Sequence, residues 1–189
     1  MSFANAVSSG MQAAFLLARG RSEGLHYVQA DADGVRRSFW AMAVSAPAIV
    51  CLQLIVWLRD TIPANAGHVL ALDMMSYVVG WLGFVVLSFY IVPALGAGPR
   101  WGRFIVVWNW CNVVENMLLV VGCIPGLLHA PPAIDQAAQI ITTGWALWIE
   151  WYATRVALST NGLAAAALVI LDQLIGLMLA GLNATLLGH

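Results

Sequence analysis

Three carboxylic acids stand inside apolar sequence: Glu115 in "WNWCNVVENMLL", Glu150 in "WALWIEWYATR" and Asp172 in "LVILDQLIG". Ionisable groups within a hydrocarbon layer are expensive. They mark proton or cation routes, or else they hold helices together as protonated hydrogen-bonding partners. No arginine stands at their depth, so at least some of the three are expected to carry a proton at neutral pH, and acids brought close together would titrate as a group. Asn109, Asn112 and Asn116 share an arc of the helix with Glu115 and extend the candidate polar cluster.

Depth and facing follow from helical geometry. At 1.5 Å of rise per residue, Glu115, Glu150 and Asp172 lie about eleven, ten and eight residues from the same side of the membrane, all near its middle. A turn of about 100° per residue puts Thr143, Ala146, Ala153, Thr154 and Ala157 on the side of Glu150, with Trp145, Trp148 and Tyr152 roughly opposite and Trp151 between. Ala165, Gly176 and Asn183 line up with Asp172, while Val107, Trp110, Val114, Met117 and Leu118 occupy the arc opposite Glu115. Each acid thus belongs to a small or polar stripe. Small residues permit close helix approach, so these stripes are expected to face one another inside a bundle.

The elements that would carry the stripes are apolar helices. With 61% hydrophobic and only 9% charged residues among 189, the chain reads as an all-α polytopic membrane protein with the lipid bilayer as its surroundings. Eight basic against nine acidic residues leave no basic footprint for nucleic acid. The basic residues are all arginine, a bias of GC-rich, bacterial genomes. A bilayer needs about 20 apolar residues per helix, and five segments reach that length: 39–58, 69–93, 104–128, 137–158 and 164–187. Turn-rich connections, "RDTIPANAGH", "GAGPRWGR", "HAPPAIDQ" and "STNG", separate them.

Arg19, Arg21, Arg36, Arg37, Arg100, Arg103 and Arg155 fall on one side of this five-helix bundle and Arg59 on the other. The positive-inside rule then predicts a bacterial inner-membrane protein with its N-terminus in the cytoplasm and its C-terminus in the periplasm. Arg155 is expected to snorkel and meet Trp151. Residues 1–38 form a separate segment before the transmembrane region 39–189. Phe3, Val7, Met11, Ala14 and Ala18 recur there at helical spacing, with Phe15 and Leu16 beside them, which suits either an interfacial amphipathic helix or a cap packed on the bundle. The following "EGLHYVQADADGVRR" reads as a polar connector. "MSFANAVSSGMQ" lacks the basic and apolar regions of a signal peptide, so the first span is expected to be retained.

A weaker group comprises His68, His129 and His189 with Asp60, Asp73 and Asp135, all on the predicted outer side. Metal binding or pH sensing would use such residues, but they lack a fixed ligand spacing and read equally as loop and interface positions. Cys51, Cys111 and Cys123 have no CxxC spacing and read as small apolar residues. HExxH, GxSxG, Walker A and GxGxxG motifs are absent, and the predicted spans contain no histidine. A non-catalytic protein without cofactor or bound metal is expected.

The five-span layout, "LGAGPRWGRFIVVWNWCNVVENMLLVVGCIP" and "WYATRVALSTNGLAAAALVILD" together resemble the bacterial branch of the Yip family over about residues 36–187. The "DLYGP"-type motif of its eukaryotic members is missing. That resemblance implies a membrane-organising or adaptor role, with a protein partner or a homo-oligomer, and assigns no functional residue. Two expectations therefore stand: a structural or adaptor membrane component, and a small proton- or cation-coupled transporter or channel whose route passes Glu115, Glu150 and Asp172.

Overall fold

The computed structural model describes residues 3–187. The chain is all-α and 86% helical, with no strand among the described residues. In order, the helices are α1 (Phe3–Leu17), α2 (Ala32–Ser38), α3 (Trp40–Arg59), α4 (Ala66–Ala94), α5 (Trp101–Gly122), α6 (Ile124–Leu127), α7 (Pro132–Leu158) and α8 (Gly162–Leu187), with a 3₁₀ turn at Ser22–Tyr27. Among the described residues four stretches are long and apolar enough to cross a membrane: Ala32–Arg59, Ala66–Ala94, Gly98–Leu127 and Gly162–Leu187. α7 has the length, at 27 residues, but Glu150 and its tryptophans, tyrosine and glutamines make it less apolar than those four.

Local chemistry sets the boundaries. Asp31 accepts a hydrogen bond from Gly34 N at 2.7 Å and starts α2, so part of the expected polar connector is helical. The run expected to reach residue 128 ends instead at Gly122, because Pro125 cannot continue the helix, and α6 follows as a separate turn. Pro132 opens α7 in its first turn, and Ser159, at φ 49° and ψ 48°, closes it. Two carbonyls left free at that end accept from a neighbouring helix: Arg103 Nε donates to Ala157 O at 2.7 Å and Arg100 Nη1 to Leu158 O at 3.2 Å. Asn161 then caps α8, accepting from Ala164 N at 2.8 Å.

α5 is the central helix: 56% of its most apolar window is buried, against 17% in the stretches containing α3 and α8. Asn109 Nδ2 donates to Ser38 Oγ at 2.7 Å and Asn116 Nδ2 to Ser45 Oγ at 2.9 Å, so α5 and the α2–α3 stretch run in the same direction. α4 runs against α5, with bonds from Trp81 to Asn109 and from Trp101 to Ser88. α7 also runs against it, with Arg103 beside Ala157 at one end and Gly122 beside Thr142 at the other. At Gly122 a Cβ would stand 2.1 Å from Thr142 Oγ1, so glycine permits this approach.

α1 lies on the remaining flank of α5. A Cβ at Gly10 would come within 2.2 Å of the Trp110 ring, and Ala13, Ala14, Leu17 and Ala18 are buried while Phe15 is exposed. Beyond α1 the chain is tied to α7: Trp145 Nε1 donates to Ala18 O at 3.1 Å and the Tyr152 hydroxyl to Gly20 O at 2.7 Å. Cys111 is buried, Cys51 and Cys123 are half-buried, and none is in a disulfide.

Candidate functional site

The predicted stripe on α7 is built largely as its period requires. Glu150, Ala146, Ala153, Thr154 and Ala157 are all buried, Trp145 and Trp148 are exposed, and Arg155 stands 5.5 Å from the Trp151 ring centre. Thr143 is the exception: it is exposed, and its neighbour Thr142 is buried. On α8, Ala165 and Asn183 are buried and Asp172 is half-buried.

These faces bring the three acids together. The carboxyls of Glu150 and Asp172 stand within hydrogen-bonding reach of each other. Glu150 Oε2 also accepts from Gln173 Nε2 at 3.4 Å. Glu115 is within electrostatic reach of both other acids. Among the described residues no arginine forms an ion pair with any of them. Glu115 Oε1, Glu150 Oε1 and the Trp108 indole N–H are buried without a regular hydrogen-bond partner.

A cavity of about 350 Å³ opens beside this cluster. Asp172 and Gln173 stand at its deep end together with Trp108. From there it follows α8 past Gly176 and Ala180 to Asn183, and α4 from Trp81 past Gly80 and Tyr77 to Ser76 and Asp73. Asn112 and Asn116 of α5 and Ile49 of α3 form the remaining wall. Glu115 and Glu150 do not line the cavity, and Glu150 meets its lining at Gln173, Asp172 and Trp108.

The asparagines divide between structure and site. Asn109 is fully buried, accepting from Trp81 Nε1 at 2.8 Å and donating to Ser38, and does not line the cavity. Asn112 donates to Trp108 O at 3.0 Å, and Asn116 to Ser45 Oγ and Asn112 O.

The shallow end contains Asp73, which belongs to this polar path rather than to an outer loop. Asn183 Nδ2 donates to Asp73 Oδ1 at 3.2 Å and Ser76 Oγ to Asn183 Oδ1 at 2.9 Å. Gln53, with its amide nitrogen turned to the carboxylate, donates to Asp73 Oδ2 at 3.2 Å and accepts from Trp57 Nε1 at 2.7 Å. Of the other outer residues, Asp135 is buried and paired with Arg59, while Asp60, His68 and His129 stand outside the cavity. His189 lies outside the described residues. No group of three or more histidine, cysteine or acidic side chains suited to a metal occurs among the described residues.

Sequence reasoning set Asp73 in the weaker outer-side group, apart from the three acids, and missed Gln173 and the aromatic wall of Tyr77, Trp81 and Trp108. Asp73, Ser76 and Gly80 do recur at helical spacing in one apolar run, a stripe of the same kind as those carrying the other acids. The chain matches no protein-family model, no curated protein and no solved structure.

Proposed function

We propose that the protein is a multi-pass bacterial inner-membrane protein that conducts or couples the movement of protons or small cations, without catalysing a chemical reaction. In this reading α7 is a fifth crossing, and the arginine-rich end, with Arg36, Arg37, Arg100, Arg103 and Arg155, faces the cytoplasm. The cavity then serves as an access path from the periplasmic side to the middle of the membrane. The supporting observation is that this polar cavity ends on Asp172, and the Asp172 carboxyl is within reach of that of Glu150.

Burying unpaired acids solely to hold helices together brings little stability, with a membrane hydrogen bond contributing about 0.6 kcal/mol on average. A relay of acids reached by a polar cavity gives their position a use. The adaptor reading needs the N-terminal segment to engage a partner, whereas α1 has its small apolar side against α5.

The test is ion flux in proteoliposomes, read with a pH-sensitive dye on one side and an imposed cation gradient. The parent protein is expected to give a pH- or cation-dependent flux that falls at least tenfold in the Glu115→Gln, Glu150→Gln, Asp172→Asn triple variant. Absence of flux from the parent, or an unchanged flux in the triple variant, overturns transport.

A further inference from the structure

Bonds already made by the cavity wall restrict what it can hold. Asn116 spends both amide N–H groups on Ser45 Oγ and Asn112 O, Asn112 and Gln173 spend one each on Trp108 O and Glu150, and the Ser76 hydroxyl donates to Asn183. Amide carbonyl oxygens remain, alongside the carboxylates of Asp172 and Asp73 at opposite ends. No basic side chain lines the space. The wall is rich in acceptors and negative in charge, so it suits a cationic hydrogen-bond donor.

Three aromatic rings complete the chamber. Tyr77 and Trp81 meet edge to face at 5.4 Å and 76°, and Trp81 and Trp108 at 5.2 Å and 66°. The Tyr77 hydroxyl is committed to Met42 O at 2.8 Å and the Trp81 N–H to Asn109, so the polar atoms of both rings are in use. The Trp108 N–H is buried at the deep end and faces the carboxyls of Asp172 and Glu150. Rings set at steep angles around a negative space attract ammonium groups through their π faces. A volume of about 350 Å³ is in the range of small-molecule sites and exceeds what a bare inorganic ion requires.

We infer that the cavity between α4, α5 and α8 is a binding site for a small primary ammonium compound, with a linear α,ω-diamine matching its two terminal carboxylates better than a monoamine. The inference rests on the reading of this cavity as a cation route. One ammonium group sits at Asp172, against Trp108 and the carbonyl oxygen of Gln173. The second reaches toward Asp73, and the methylene chain lies along Tyr77 and Trp81.

Calorimetric titration of the full chain in nanodiscs tests the site, with 1,8-diaminooctane as probe and 1,8-octanediol as its uncharged counterpart. The probe is long enough for a span set by the eleven-residue separation of Asp172 from Asn183, the partner of Asp73. The diamine is expected to bind saturably and the diol not at all, and Asp172→Asn is expected to weaken diamine binding at least tenfold. Should that variant not purify as a monodisperse helical protein, Gly176→Leu takes its place. A Cβ at Gly176 meets nothing within 4 Å, so a leucine there occupies the cavity and is expected to abolish binding with every acid retained. No diamine binding, equal binding of the diol, or full binding by the folded variant overturns the inference. Proton flux without diamine binding overturns this inference and leaves transport standing. Diamine binding without flux from the same preparation keeps the ammonium site and removes transport.

Discussion

Toward the Arg103 end, α4 and α5 meet through aromatic rings, with Phe84 stacked on Trp108 at 4.5 Å and set against Phe104 at 6.1 Å, and Val92, Ile105 and Leu168 fully buried nearby. Toward the Arg59 end, α4, α5 and α8 line the cavity, where Gly80, Gly176 and Ala180 stand beside the rings of Tyr77, Trp81 and Trp108. The same helices therefore make a closed half and an open half, and Asp172 stands where one gives way to the other. Inside a bilayer the hydrophobic effect does little to press apolar helices together, so packing and hydrogen bonding decide where they close. Glycine and alanine beside the rings leave space, whereas the stacking of Phe84 on Trp108 and its contact with Phe104 fill it.

Phe84→Ala should be the most damaging change, costing about 3–5 kcal/mol through the void it leaves in the closed half. Thermal unfolding in detergent reads it, and a loss no larger than that of Leu179→Ala on the cavity wall would break the comparison. Gly10→Leu carries the test to the opposite flank of α5, where a side chain would overlap Trp110; overpacking there should cost about 1–3 kcal/mol. Increased proteolysis within residues 1–35 should accompany that loss, and an unchanged digestion pattern would mean that α1 does not depend on the Trp110 seat.

Asn183→Ala removes the bonds to Ser76 and Asp73 at the shallow end and should cost about 1 kcal/mol, the scale of intramembrane hydrogen bonds. A loss as large as that of Phe84→Ala would show the open half to be as tightly built as the closed one. Gly176→Leu should change stability by no more than about 0.5 kcal/mol while lowering flux at least tenfold. Undiminished flux in that variant would separate the cavity from the route.

The stripe bearing Glu150 was legible because α7 is a regular helix with rings on one side and small residues on the other, so a 100° period sorted them. Thr142 and Thr143 were exchanged because they lie at the edge of that stripe, where the approach of Gly122 decides which is covered. Counting residues also placed Glu115 and Asp172 at a common depth, since rise per residue is nearly constant. The cavity was not legible, because it is a property of the gap between helices. Gly80, Gly176 and Ala180 belong to two helices whose register depends on contacts such as Gly80 against Leu179. Asp73 was assigned to the outer loop group by its nearness to the end of an apolar run, although its neighbours across the gap are Gln53 and Asn183. Helix α2 was hidden in a polar segment because a single Asp31 cap outweighs the turn-forming composition around it.

The seat of α1 has a consequence for biogenesis. Trp145 and Tyr152, which hold the chain at Ala18 and Gly20, lie 127 and 132 residues downstream of the groups they bond. α1 and its seat on α5 are made before α7, yet the bonds that hold Ala18 and Gly20 wait for α7 to be synthesised. Closure of the Ala18–Gly20 segment therefore reports that α7 has taken its place beside α5.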